Sequence, residues 1–397
     1  MKNEGKQRSE GKKGKRFPWG VVIFYGACLL IGILLGTVLD KEVFEEFGRA
    51  FLPAMLFFII SYFLHIIVHE AGHMVCGLAT GYRFVSFRVG SLMWEKQKSG
   101  KIRFSRFSLA GTGGQCLMAP PAYNEGQYPY RLYNLGGGLA NFILSGICGL
   151  LLFENLGDMA KLFLTMMMVS GIVLGAMNLI PIKKVNNDGS NIVEISKSEA
   201  ARKAFWLQMR VNEEIANGIR MKDMPDEWFQ RQEENRKNVM VTSIDVLAAN
   251  RLMDAQRLDE AEKMMLDLMQ EDCLAGVYKS LLIFELSFLE MIKGVPGIYT
   301  EKTKDAQLAA FAKAMKSFPS IIRWQYARAR RILKDEAEAE RIKAAFDKMA
   351  ATYPHPCEIE GERELMKLAD EEADQEKTTN AQQSEEQQRS RKHEGNA

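Results

Sequence analysis

The stretch HIIVHEAGHMV, residues 65–75, carries His69, Glu70 and His73 in the spacing His-Glu-x-x-His. On a helix, residues four apart share a face and lie about 6 Å from each other along the axis. His69 and His73 can therefore turn ring nitrogens toward one metal ion, with zinc the first candidate. Glu70, next to them, can act as general base on a metal-bound water, whose pKa zinc lowers to about 7. A catalytic zinc takes three protein ligands and keeps one position open. The third candidate is Asp188 in NLIPIKKVNNDGSN, although Asn-Asn-Asp-Gly also suits a turn. His65, one turn before His69 on the same face, is read as a supporting group beside the ligands, because a fourth ligand would close the site.

These residues lie in an apolar stretch, where His and Glu are costly unless they face a protein interior or a watery cavity. A bilayer core about 30 Å thick needs roughly 20 apolar residues in helical form. Four stretches qualify: Trp19 to Leu39, Phe51 to about Ala79, Leu135 to Phe153, and Leu162 to Ile180. The fold expected is thus an α-helical integral membrane protein of about four transmembrane helices. The segment before Trp19 holds seven Lys and Arg, and residues 81–134 hold eight, whereas the two other connections hold only Lys41, Arg49 and Lys161. By the positive-inside rule both termini are cytoplasmic, and the second and fourth spans run inward. The first apolar run ends in GTVLDKEVFEEF, which offers no small-residue cleavage site, so it is expected to be a permanent anchor rather than a signal peptide.

Between the second and third spans, FVSFRVGSLMWE and KIRFSRFSLAG alternate apolar and polar residues around the turn-like QKSG. That period of two predicts a small cytoplasmic β region within the loop 81–134, while GTGGQCLMAPP, rich in Gly and Pro, is expected to be loop. Residues 193–369 have a helical composition, and LMDAQRLDEAEKMMLDLM and RILKDEAEAERIKAAFDKMA resemble tetratricopeptide-type helix pairs, although a plain bundle fits as well. The chain thus divides into a basic N-terminus (1–18), a transmembrane metalloprotease domain (19–192), a helical cytoplasmic domain (193–369) that is a candidate docking site for a protein partner, and a tail (370–397) with too little apolar content to fold.

The formal net charge of +2 averages an apolar first half and a charged second half, and no nucleic-acid partner is expected. Six cysteines, at 28, 76, 116, 148, 273 and 357, form no Cys-x-x-Cys pair. Neither a disulfide framework nor a cysteine zinc site is expected.

His69-Glu70-Ala71-Gly72-His73 in one span, followed by Asn178-Leu179-Ile180-Pro181 and then Asp188-Gly189 beyond a later one, resembles the site-2 protease family of intramembrane metalloproteases. The likeness covers about residues 50–192, and six residues, Ile182 to Asn187, separate Pro181 from Asp188, more than in the commonest family pattern. The resemblance implies one catalytic zinc on His69, His73 and Asp188, with Glu70 as base. It implies cleavage of membrane-spanning or membrane-associated substrates; the Lys and Arg distribution fits a bacterial cell membrane, and an internal eukaryotic membrane would obey the same rule. GGGLANF, residues 136–142, resembles the family's Gly-rich motif, in which Asn141 would orient the substrate carbonyl or the oxyanion; Asn178 would support the site. Because a substrate helix hides its amides, the strand-like region from Phe84 to Leu109 is expected to hold an unwound segment as an added strand. The competing reading is a catalytically idle scaffold that binds partners through its helical domain; a transporter is disfavoured by the absence of a visible inverted repeat.

Overall fold

The computed structural model describes residues 41–107, 112–124, 126–182, 187–231, 237–295 and 297–373. The stretch from Trp19 to Leu39, the basic N-terminus and residues 374–397 lie outside the described residues. Three helices long and apolar enough to cross a membrane are present among the described residues. Helix α1 (Lys41–Ala79) begins ten residues before the expected Phe51, through the charged turns KEVFEEFGRA, and its apolar part is Arg49–Ala79. At 1.5 Å per residue those 31 residues span about 46 Å, longer than a hydrocarbon core. Helices α2 (Tyr130–Leu151) and α3 (Asp158–Leu179), 22 residues each, correspond to the next two expected spans.

The three helices pack on one another, and small residues set how closely. A Cβ on Gly72 would fall 2.2 Å from the carbonyl oxygen of Gly136, and one on Gly136 would fall 2.5 Å from that of Gly72. Large apolar side chains such as Phe63, Ile143 and Leu150 point outward and stay exposed, as lipid-facing positions must.

After α1 the chain forms β1 (Arg83–Val89), β2 (Leu92–Lys96), β3 (Ile102–Arg106) and β4 (Gly114–Ala119). The antiparallel sheet has the order β3-β2-β1-β4 and stacks Phe87 opposite Trp94 and Trp94 opposite Phe104. FVSFRVGSLMWE is two strands, turned at Gly90, whose φ of 57° favours glycine. The sheet corrects the sequence reading in one place, since GTGGQCLMAPP is not all loop: it supplies β4. Burial of Cys116, Met118 and Ala119, together with pairing to β1, outweighs the local Gly and Pro content.

Helix α4 (Asp188–Ser196) follows α3, and α5 (Glu199–Ala216) leads into a helical part that continues through α6 (Val239–Asp254), α7 (Leu258–Leu268), α8 (Gly276–Ile292), α9 (Ile298–Lys302), α10 (Ala306–Ala314), α11 (Pro319–Arg328), α12 (Glu336–Ala350) and a last helix over 356–373. Residues 370–373, expected to begin the tail, instead finish that helix. Ala373 is buried there, and the Tyr326 hydroxyl donates to Asp370 over 2.6 Å.

The helical part is fastened to the sheet. Trp206 donates its indole N–H to the Pro121 carbonyl over 2.7 Å, and Arg103 in β3 reaches both Glu95 at 2.7 Å and the Pro354 carbonyl at 2.9 Å. Phe107 meets Tyr353 edge to face at 5.5 Å. Beside them His355 lies 3.5 Å from Glu95. Burial, reinforced by the Arg103 charge, pushes the His355 imidazole down to about 4. A histidine with a depressed folded pKa stays neutral in the fold, so stability is lost as pH falls from about 6.5 toward 4. We expect this term to reach roughly 3 kcal/mol. Thermal unfolding of wild type and His355→Gln at pH 7 and pH 5 checks it: the wild-type melting temperature should fall further on acidification.

Candidate metal centre

Near the end of α1, six residues before its last residue Ala79, His73 faces its helical neighbour His69, with their Nε2 atoms 3.1 Å apart. Asp188 Oδ2 lies 3.2 Å from His69 Nε2 and 3.3 Å from His73 Nε2. These are the described His, Cys, Asp and Glu side chains that converge in threes, and the nearly equilateral triangle has a definite chemical meaning. Donors about 2.0–2.1 Å from a tetrahedral zinc stand about 3.3 Å from each other. Two imidazoles and one carboxylate are also the donor types zinc accepts.

The protons agree with that fit. A carbonyl can only accept, so the 2.8 Å contact between His73 Nδ1 and the Tyr133 carbonyl places the proton on Nδ1 and leaves a lone pair on Nε2. Asp188 Oδ2 is buried and receives no well-formed hydrogen bond. The residues present therefore fit a zinc ion.

Asp188 reaches this point through the construction of α4. It is the first residue of the helix, and Asn187 is the N-cap, accepting the Ser190 N–H over 2.8 Å. The same Asn187 amide donates to the carbonyls of Met177 and Ile180 over 2.7 Å each, which ties the start of α4 to the end of α3. Gly189 lets the two meet, because a Cβ there would lie 2.1 Å from the Leu179 carbonyl oxygen. The last three residues of the turn-like stretch, Asn187-Asp188-Gly189, are thus a helix start with Asn187 as its cap.

Glu70 is buried on the neighbouring face of α1 and touches the start of β4: a Cβ on Gly114 would sit 2.6 Å from Glu70 Oε1. Residues 112–117 form one wall of a cavity of about 490 Å³ that also takes in His69, Glu70, His73 and Asp188. Arg88, fully buried in β1, braces that wall through Thr112 and the Gly90 carbonyl. Among the described residues, sheet order leaves β4 with a strand partner only on the β1 side. The strand at the site is therefore β4, and not the region from Phe84 to Leu109, whose β1 is central and whose Arg103 and Phe107 bind the helical part.

Asn141, expected to face substrate, exposes no surface to solvent but lines the same cavity as His69 and Glu70. One end of its amide is 3.1 Å from His65 Nδ1 and the other 3.3 Å from His69 Nδ1. His65 is also fully buried, with Nε2 2.8 Å from the Met167 carbonyl. Asn178 lines the cavity but donates to the Leu174 carbonyl in its own helix, and no hydrogen bond joins it to the ligand residues among those described. Tyr133 and Met167 escape a sequence reading because they act through backbone carbonyls, which any residue type offers. Asn187 was open to detection, since Asn before a helical run is a capping signal.

Residues 57–161 match the family model Peptidase family M50, the family of the site-2 proteases, whose members are metalloproteases of membranes. The match includes His69, Glu70, His73 and Asn141 and ends before Asp188, which the fold supplies. No curated protein and no solved structure matches the chain. From the capping geometry, Asn187→Ala should cost about 1 kcal/mol of stability. It should also weaken zinc binding by about tenfold or more by freeing Asp188. Chelator competition on the purified protein measures the second effect, and Asn187→Asp, which keeps the cap and loses both donors to α3, should fall between.

Proposed function

Taking residues 57–161 as part of a family M50 metalloprotease, we propose that the chain is a zinc-dependent intramembrane endopeptidase that hydrolyses peptide bonds of membrane-spanning or membrane-associated proteins. The observation that carries this reading is the 3.1–3.3 Å triangle of His69, His73 and Asp188 with Glu70 beside it. His69, His73 and Asp188 would hold the ion, which supplies a polarised water and a Lewis acid for the scissile carbonyl. Glu70, walled by protein on the β4 side, is placed to take a proton from the water and pass it to the leaving amine. Its burial keeps bulk water from competing for that proton.

The substrate segment must be extended, because helical amides are already bonded. The side of β4 turned away from β1 offers backbone groups to such a segment next to Glu70. The site lies within about 9 Å of the end of α1, where the sheet and helical part gather. With the Lys and Arg distribution, this favours cleavage near the cytoplasmic face of a bacterial cell membrane. The helical domain is then available for a substrate-bearing or regulatory protein on that side.

Two substitutions test the reading. Glu70→Gln should retain zinc and lower cleavage of single-span substrates by about 10²–10⁴-fold, and equal processing by both proteins would remove the catalytic assignment. Gly114→Ala puts a methyl group against Glu70 Oε1. We expect turnover to fall by about 10²-fold with zinc content intact, read from kcat and metal analysis of the same preparation.

A further inference from the structure

The contacts around Asn141 form a continuous chain from α3 to the metal centre: Met167 carbonyl, His65, Asn141, His69. We propose that His65 and Asn141 are positioning residues that fix the tautomer and ring orientation of His69, so that its Nε2 lone pair is delivered to the metal. This inference rests on His69 being a zinc ligand.

The proton assignments follow in order from one end. The Met167 carbonyl accepts and does not donate, so the 2.8 Å contact requires the proton on His65 Nε2. A neutral His65 then has a lone pair at Nδ1, and the group opposite must be a donor. The two ends of the Asn141 carboxamide have nearly the same shape, so its partners decide its orientation. With Oδ1 toward His65, two acceptors would meet at 3.1 Å. Turned over, the amide N–H donates to His65 Nδ1 and Oδ1 accepts from His69 Nδ1–H. His69 is then left with a bare Nε2, 3.1 Å from its counterpart on His73. His73 arrives at the same state more simply, through the Tyr133 carbonyl. The two ligands are thus set by different devices, one a direct backbone contact and the other a relay across three helices.

The surroundings are shaped for this relay. A Cβ on Gly171 would lie 2.2 Å from His65 Cε1, and one on Gly137 would lie 2.4 Å from His69 Cε1. Both rings therefore occupy the space that a side chain would fill at a glycine of a neighbouring helix. Ser145 donates to the main-chain carbonyl of Asn141, one turn earlier on α2, over 2.8 Å and is itself buried. In this orientation one N–H of the amide is committed to His65 and its oxygen to His69, the two contacts that the positioning role requires.

The test measures zinc affinity by chelator competition, alongside kcat and KM, for full-length protein in detergent. His65→Leu breaks the relay and should weaken zinc binding about 10–100-fold. His65→Gln, which can donate to the Met167 carbonyl and accept from Asn141, should recover most of that loss. Asn141→Asp keeps an acceptor for His69 and should bind zinc within a few-fold of wild type, whereas Asn141→Leu should not. Wild-type zinc affinity in His65→Leu, or equal loss in Asn141→Asp and Asn141→Leu, would overturn the relay. A wild-type protein that binds no zinc, or binds it undiminished in His69→Ala, would instead overturn the underlying metal assignment. Far-UV circular dichroism and gel filtration of each variant separate misfolding from loss of positioning.

Discussion

At the crossing of α1 and α2, the backbone of Gly72 and the backbone of Gly136 approach so closely that neither position has space for a methyl group. Helix association inside a membrane gains nothing from hiding apolar surface, so it depends on van der Waals contact and on polar groups satisfied between helices. Both are found at this crossing. Because the helices touch backbone to backbone, His69 reaches the surface of Gly137 and its Nδ1 reaches Asn141. The Tyr133 carbonyl, one turn earlier on α2, comes within 2.8 Å of His73. A wider separation would leave both imidazoles unbonded in an apolar setting, where each polar group costs several kcal/mol.

The same economy of distance recurs at Asp188. Gly189 allows α4 to start against the last carbonyls of α3, and the Asn187 side chain joins the two by hydrogen bonds. Asp188 would otherwise be the first residue of a short helix at the end of a connection, with many positions open to it. Cap, triangle carboxylate and glycine occupy three consecutive residues, so the order Asn-Asp-Gly has a structural reason at each place.

Much of this was legible in the residues themselves. His-Glu-x-x-His within an apolar run named the chemistry, because the residues are expensive there and their spacing matches the helical repeat. Three spans and the strands β1 to β3 were marked by length and by alternation. Asp188 was found as a carboxylate after the last span, although its role as a helix start depended on a packing partner. The failures share a cause. GTGGQCLMAPP reads as loop because Gly and Pro dominate it, yet Gly114 admits Glu70 and the buried Cys116 and Met118 belong to a strand. Asn141 and Asn178 have equivalent side chains, and only the fold separates one clasped between two histidines from one bonded to its own helix. The final turn at 370–373 was hidden because its stabilising partners, Tyr326 and Arg331, lie about 40 residues earlier.

The position of Asp188 on α4 has a mechanical side. His69 and His73 belong to one helix, but the carboxylate comes from 115 residues further along the chain, on a short helix that continues directly into α5 and the helical part. An ion held by all three side chains would be a clasp, closing a long loop and fastening the membrane helices to what lies beyond them. Such an ion would join the end of α1 to the start of α4, so that two distant parts of the chain would share one small polyhedron of donors.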